Sequence, residues 1–428
     1  MIAASSVDLT PDRTLPLVGY AATLRESDGV RSRLESNVIL FETNTARVAL
    51  LGIDALFIGS SFIDAVRGDL IDPTVELLFV ATHTHYAPSL DQSKPRLGET
   101  DNDWFYKAAK IVAAQINALL GERGIDARAS YGSLPCNLSV YRRRRIPTPK
   151  SRFPFLQGKI LLVPNRSRKN PNELQLFQLQ TMEGVPLAVI WSWPCHPVEA
   201  SNRNSINAAF PGAVKAAIRA ATGLEQLPVI FLPGFCGDIR PAITQSVART
   251  AFIEMFKAPS KGDIEAFEKG VCASALKVLA SASPVDLAES FQFQRLEMPL
   301  SELLEDSTST LPIASLSCGP FSVTALGAEV CSPYLDQLGF NASKPTFFTG
   351  CAAPTFGYLP TDAQIAEGGY EAERFKEFFG VTGSWKPKVT ARVVSEMRAV
   401  TRAPTSISSR RHKPVEDLLL PGLVEVDG

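Results

Sequence analysis

The stretch VELLFVATHTHYAP, residues 75–88, decides how this chain is read. Its first half, 75–82, is a short continuous apolar run, the texture of a strand buried on both faces. Its second half puts His83 and His85 directly after that strand. In an extended backbone residues i and i+2 point to the same face, so two imidazoles are expected to project together from a strand's carboxyl end. That is where α/β sheets place their ligands. A bare His-x-His pair also occurs as a satisfied pair in a polar turn, so its meaning depends on what the rest of the chain brings to it.

Working outward, residues 37–58 read as two strands, NVILFET and RVALLGIDALFI, with a turn at Asn44 and Thr45 and a helix over 60–69 behind them. The segment 103–121 carries apolar residues at helical spacing and stops at Gly121. Strands at 187–193 and 228–232 bracket a helix, PGAVKAAIRAATG, with proline in its first turn and glycine at its end. A helix over 263–281, a strand-rich region over 286–330 and further helix over 361–378 complete the pattern. Strands alternating with helices predict an α/β fold, a mixed β-sheet core flanked by helices. The segment 401–428, rich in Pro, Ser and Arg before LLLPGLVEV, reads as a tail. It either packs on a neighbouring subunit, which leaves room for a homo-oligomer, or moves freely.

The bulk numbers exclude several classes. Of 428 residues, 45% are hydrophobic and 20% charged, and a formal net charge of −1 offers no field for nucleic acid or an anionic membrane. No stretch reaches the roughly 18–20 apolar residues that span a bilayer. The opening MIAASSVDLTPDRTLP has no basic segment followed by an apolar run, and the seven scattered cysteines include no CxxC pair. A cytoplasmic enzyme with free thiols is the expectation.

Only four histidines occur, and three follow strand ends. His196 sits in WPCHPVEA after the strand 187–193; a lone histidine beside prolines is usually a turn residue, but three at strand ends form a pattern. A third strand ends in PGFCGDIRP, residues 233–241. Gly234 and Gly237 are expected there to adopt conformations barred to other residues and to let backbone amides approach a substrate. Asp238 is expected to cap a helix or orient a ligand histidine.

Several segments in order resemble one family, the neutral (non-lysosomal) ceramidases and their shorter bacterial relatives. VDLTPDRTLPLVGYA resembles the family's DITP-like start and GY turn, and THTHYAP its THTHSGP motif. YRRRR at 141–145 falls where the family carries an Asn-Arg loop, WPCHPV resembles its second histidine motif, and INAAFPG its ISADFPG-like helix start. PGFCGDIRP resembles its GD-Ser-Pro turn, GAEVCSPY its PGE motif, and GYLPTDAQIAEGGYE its YxxTxEEYxxxxYE motif. The likeness runs from about residue 5 to 375. It implies a single large catalytic domain over 1–400 with one zinc at its centre, held by His83, His196, Glu329 and Tyr358. His85, Arg142 and Tyr370 then surround the scissile group. The length leaves no room for the immunoglobulin-like domain of the longer members.

Two imidazoles, a carboxylate and a phenolic oxygen make a workable zinc set, and zinc can lower a water's pKa to about 7. The activity so implied is hydrolysis of an amide (N-acyl) bond by metal-activated water, with His85, Tyr370 and Arg142 as candidate oxyanion donors.

Three departures bear on the substrate. Arg240 stands at the serine-like place of the GD turn, where a guanidinium suits a carboxylate. With Arg142 to Arg145 it points to a small or anionic N-acyl substrate contacted by Arg240, Gly237 and Asp238. Ala209 replaces an acidic residue, and the export signal typical of ceramide-cleaving members is missing. Ceramide itself (N-acylsphingosine) is the alternative substrate. Two further readings are a thiol hydrolase using Cys236, or Cys195 beside His196, and a metal-containing binding protein without activity.

Overall fold

The computed structural model describes residues 1–20, 25–43, 46–147, 158–247, 253–288 and 290–402. The expected turn at Asn44 and Thr45 and the tail from Ala403 lie outside them. Three mixed sheets form the expected β-sheet core. The first runs Ile2–Asp8, Glu35–Glu42, Arg47–Ile53, Glu76–Ala81. The second is ordered Val229–Pro233, Pro186–Trp193, Glu173–Gln180, Arg128–Pro135, Ser283–Val285. The third is Gln292–Pro299, Thr310–Cys318, Phe321–Leu326, Thr346–Thr349.

Each sheet is antiparallel except for one parallel pair at an edge. These pairs are three strand–helix–strand units: Arg47–Ile53 to Glu76–Ala81 through the helix Ser60–Gly68, Pro186–Trp193 to Val229–Pro233 through Ala209–Thr222, and Phe321–Leu326 to Thr346–Thr349 through Tyr334–Leu338. Parallel strands share a direction, so each unit presents two carboxyl ends side by side. The three edges are tied at that end. Ala81 N–H donates to Cys351 O (3.1 Å), Ala353 N–H to Phe79 O (3.0 Å), and Gly350 N–H to Pro233 O (3.1 Å).

The sequence explains why the sheets pack inward. Arg47–Ile53 and Glu76–Ala81 are buried almost throughout, as continuous apolar runs require. Ile39, Leu50, Val80, Phe177, Ile190, Ile230, Leu316, Val323 and Phe347 form a core shared by all three sheets. Phe321 stacks on Phe177 with centroids 4.4 Å apart at its centre. Each such side chain contributes about 1.5–3 kcal/mol on burial. The outer faces are covered by helices: Ser60–Gly68 and Asn102–Gly121 on the first sheet, Ala209–Thr222 and Lys261–Ser281 on the second, and Val389–Arg402 on the third. The result is one domain. Among the described residues no helix is long and apolar enough to cross a membrane.

Candidate active site

The loops leaving the three parallel pairs meet at one buried point. His83 and His85 follow Glu76–Ala81, His196 follows Pro186–Trp193, Glu329 follows Phe321–Leu326, and Tyr358 is paired in register with Glu329 through the short strands Glu329–Val330 and Tyr358–Leu359.

His83 and His85 do come together, though not by strand alternation. The strand stops at Ala81, and His83 has φ +66. This left-handed conformation costs a side-chain-bearing residue about 1–3 kcal/mol, and such strain collects at functional sites. The turn brings the two rings to 4.9 Å between centroids, with His83 at 4.8 Å and His85 at 6.1 Å from His196. One ligand nitrogen from each of the three lies within 4.8 Å of the others. His85, expected beside the scissile group and outside the metal set, is therefore part of the group that could hold a metal ion.

All three rings are fixed alike. His83 Nδ1 donates to Leu56 O (3.1 Å), His85 Nδ1 to Gly19 O (2.8 Å), and His196 Nδ1 to Cys236 O (2.6 Å) and Ile239 O (3.2 Å). A carbonyl only accepts, so each Nδ1 carries the hydrogen and each neutral ring turns a bare Nε2 into the site. The Nε2 atoms of His83 and His85 are buried without a hydrogen-bond partner. Glu329 Oε2 stands 2.9 Å from His196 Nε2 and 3.2 Å from His83 Nε2, and Tyr358 OH stands 3.3 Å from His196 Nε2. Burial pushes the Glu329 carboxyl up, but the imidazoles of His83 and His196 beside it outweigh burial and leave it well below the usual range. Burial, then Arg142, push His196 down to about 4, and burial with the two neighbouring histidines pushes His85 down. A carboxylate against lone-pair nitrogens calls for a cation between them. Nitrogen and oxygen donors of this kind fit a zinc-like ion.

Above this centre lies Arg142, buried, its Nη2 donating to Tyr358 OH (3.1 Å) and its Nε to Glu371 Oε1 (2.8 Å). Arg143 holds the other oxygen of Glu371 (2.6 Å) and reaches Glu367 and the carbonyls of Gln364 and Gly368. Two members of the arginine run are thus anchored inside the protein. Tyr370 packs its ring 5.4 Å from that of Tyr358. Burial, then Glu329, raise the hydroxyls of Tyr358 and Tyr370, keeping them protonated.

The Gly-rich turn plays a different part from the one expected. Neither Gly234 nor Gly237 has positive φ. A Cβ on Gly237 would lie 2.7 Å from Glu329 O, and one on Gly234 2.9 Å from Pro194 N, so these glycines allow close approach of chain to chain. Gly237 N–H donates to Val330 O (2.9 Å), so that amide is not free for substrate. Asp238 accepts from Ser332 N–H (2.8 Å) and Gln364 Nε2 (2.7 Å) and neither caps a helix nor touches a histidine. The carbonyls of Cys236 and Ile239 orient His196 instead. Arg240, half-buried, stacks over Phe256 at 4.6 Å.

Sequence reasoning passed over Glu371, although it ends the GGYE phrase, and Tyr20, Tyr86, Arg25, Arg203 and Glu199. Glu199 accepts from Phe210 N–H at the start of the helix Ala209–Thr222. It supplies from another loop the carboxylate that Ala209 lacks. Burial pushes the thiols of Cys195 and Cys236 up, away from the thiolate a nucleophile needs, and Cys195 Sγ lies against the carbonyl of His196.

An α/β frame with a buried histidine group able to hold one metal ion is the class that fold and site define. The fold is that of the neutral ceramidases. Neutral ceramidase from Pseudomonas aeruginosa is similar over 96% of this chain and 76% of its own, with a TM-score of 0.71 and 12% identity. A ceramidase solved in complex with C2 is similar over 96% and 77%, with a TM-score of 0.70 and 13% identity. No protein-family model and no curated protein sequence matches the chain.

Proposed function

We propose that this protein is a zinc-dependent hydrolase of N-acyl (amide) bonds. The observation that carries the reading is the set of bare Nε2 atoms facing an ionised Glu329, a buried arrangement lacking one positive charge. His83, His196, Glu329 and Tyr358 would hold the ion, because Glu329 and Tyr358 both contact His196 and Glu329 also contacts His83. His85 has no contact with Glu329 and stands toward the open side with Tyr20, its ring 5.3 Å away. When bound, the ion polarises the amide carbonyl and acidifies water at neutral pH.

The chain's own residues supply the rest. His85, its Nδ1–H spent on Gly19, presents Nε2 as an acceptor, which makes it a base rather than the oxyanion donor expected. It takes a proton from the attacking water and returns it to the nitrogen as the C–N bond breaks. Arg142 and the Tyr370 hydroxyl stabilise the oxyanion, and Glu371 keeps Arg142 in place. Seven free cysteines, most of them buried, fit a reducing cytoplasm. A ceramide-like N-acyl lipid is the second reading, favoured by the ceramidase fold of the two neighbours.

The test is a purified chain assayed on a panel of N-acyl amines with and without a chelator. Turnover that chelation abolishes and zinc restores is the expected result. Turnover that survives chelation, or a loaded protein inert on every substrate, would overturn the reading.

A further inference from the structure

Beside the histidine centre stand arginines that, Arg142 apart, no carboxylate contacts among the described residues. Arg240 lies in the antiparallel ribbon formed by Ser139–Tyr141 and Ile239–Pro241, opposite Val140, and Arg142 directly follows the other strand, its N–H donating to Asp238 O. The two arginines are thus neighbours at one end of the ribbon, where the charge of Arg142 opposes that of Arg240. Glu371 neutralises Arg142, but among the described residues no carboxylate contacts Arg240. Its half-buried guanidinium lies over the Phe256 ring.

Across the opening Tyr20 carries a guanidinium on its ring twice over, Arg203 at 4.6 Å and Arg25 at 4.7 Å. Tyr20 OH meets Tyr86 OH at 2.9 Å. Buried Arg25 spends its hydrogen bonds on carbonyls alone, those of Arg203, Val18 and His85, and its Nε has no partner. Burial and the nearby charge of Arg142 and Arg203 destabilise the Arg240 cation. Tyr20, whose ring packs 5.3 Å from that of His85, thus carries two of these guanidiniums beside the histidines, and among the described residues no carboxylate pairs with Arg25, Arg203 or Arg240. Like charges gathered around one opening, Arg25 buried, Arg240 half-buried and Arg203 exposed, are stabilised by an anion placed among them.

We propose that Arg240 and Arg203, with the hydroxyls of Tyr20 and Tyr86, form a subsite for a carboxylate carried by the N-acyl substrate. The planar fork of Arg240 grips the carboxylate, exposed Arg203 steers it in, and the one phenol hydrogen not spent between Tyr20 and Tyr86 is donated to a free lone pair. This rests on the N-acyl hydrolase reading for the position of the scissile bond, but the arginine cluster is independent of it.

The test is equilibrium binding by titration calorimetry to the zinc-loaded full chain. One probe is a ketone isostere of N-octanoylglycine, with CH2 in place of NH so that it is not turned over. The other is its neutral counterpart with CH2OH in place of the carboxylate. The carboxylate probe is expected to bind at least about 30-fold tighter. That ratio should fall to near one in Arg240→Gln and by about 3-fold in Arg203→Gln, whose exposed side chain keeps the fold unaffected. Arg240→Lys, with matching thermal melts, separates loss of the fork from loss of folding. A ratio near one in the wild type, or one that neither substitution changes (as direct binding of the carboxylate to the metal would give), overturns the proposal. So does a phosphonate analogue binding more tightly than the carboxylate. A preserved ratio in a protein that hydrolyses neither N-octanoylglycine nor N-octanoylethanolamine would sink the hydrolase reading and leave the subsite standing.

Discussion

The floor and the rim of this site are built by opposite rules. On the floor, the Nδ1 of each imidazole is tied to a main-chain carbonyl, those of Leu56, Gly19, Cys236 and Ile239. On the rim, the charged groups rest on aromatic faces, those of Tyr20 and Phe256, and their hydrogen bonds go to carbonyls or to nothing. Main-chain ligation of a histidine fixes its tautomer and direction, which a metal centre needs. Cation–π seating leaves a guanidinium's donors free, which a ligand site needs. The difference separates the part that does chemistry from the part that selects.

The contrast can be broken from the floor first. His83→Ala should empty the centre, lowering bound zinc to near zero by elemental analysis and activity by about 10⁴-fold or more, since metal polarisation is worth several kcal/mol and each 1.36 kcal/mol is tenfold. His85→Gln should retain the metal yet lose about 10²–10⁴-fold in kcat, the usual contribution of a positioned base. Loss of metal in that variant would move His85 into the ligand set. Glu371→Gln frees two buried arginines from their shared carboxylate. A kcat loss of roughly 10–100-fold is expected, the size of a supporting-residue effect, with a lower melting temperature. Unchanged kcat would show that Arg142 needs no support.

The smallest effect sharpens the boundary between the two regions. Burial pushes the Glu199 carboxyl up to about 8 from its ordinary 4.5. The folded chain keeps a proton that the unfolded chain sheds as pH passes 4.5. Stability from this group is therefore complete below that pH and is lost as pH rises toward 8, by on the order of a few kcal/mol. Glu199→Gln keeps an acceptor for Phe210 N–H and should remove that alkaline loss in melts between about pH 5 and 9. An unaltered pH slope would show that Glu199 is not the buried proton carrier.

Much of the floor was legible because its residues lie directly after apolar runs. The strands 75–82 and 187–193 carry their histidines within three residues of their ends. Glu329 and Tyr358 were reached only through motif order, since a carboxylate after a strand has no local signature. What local reading could not see depends on contacts distant in sequence. That three edge strands converge is decided by bonds such as Gly350 N–H to Pro233 O, which no periodicity encodes. The role of Gly237 is set by Glu329, a neighbour 92 positions on, so turn chemistry alone pointed the wrong way. Arg240 was noticed as a departure, but its neighbours Arg142, Tyr20, Tyr86 and Arg203 come from segments distant in sequence.

The central claim is that one cation completes the charge balance among His83, His196, Glu329 and Tyr358. A crystal structure of the zinc-loaded protein, with anomalous difference maps recorded on both sides of the zinc edge, tests it most directly. A single zinc peak within bonding distance of those four side chains, with His85 Nε2 turned to the substrate side, is the result expected. A centre without a peak, or a zinc bound elsewhere while Glu329 stays hydrogen-bonded to His196, would contradict it.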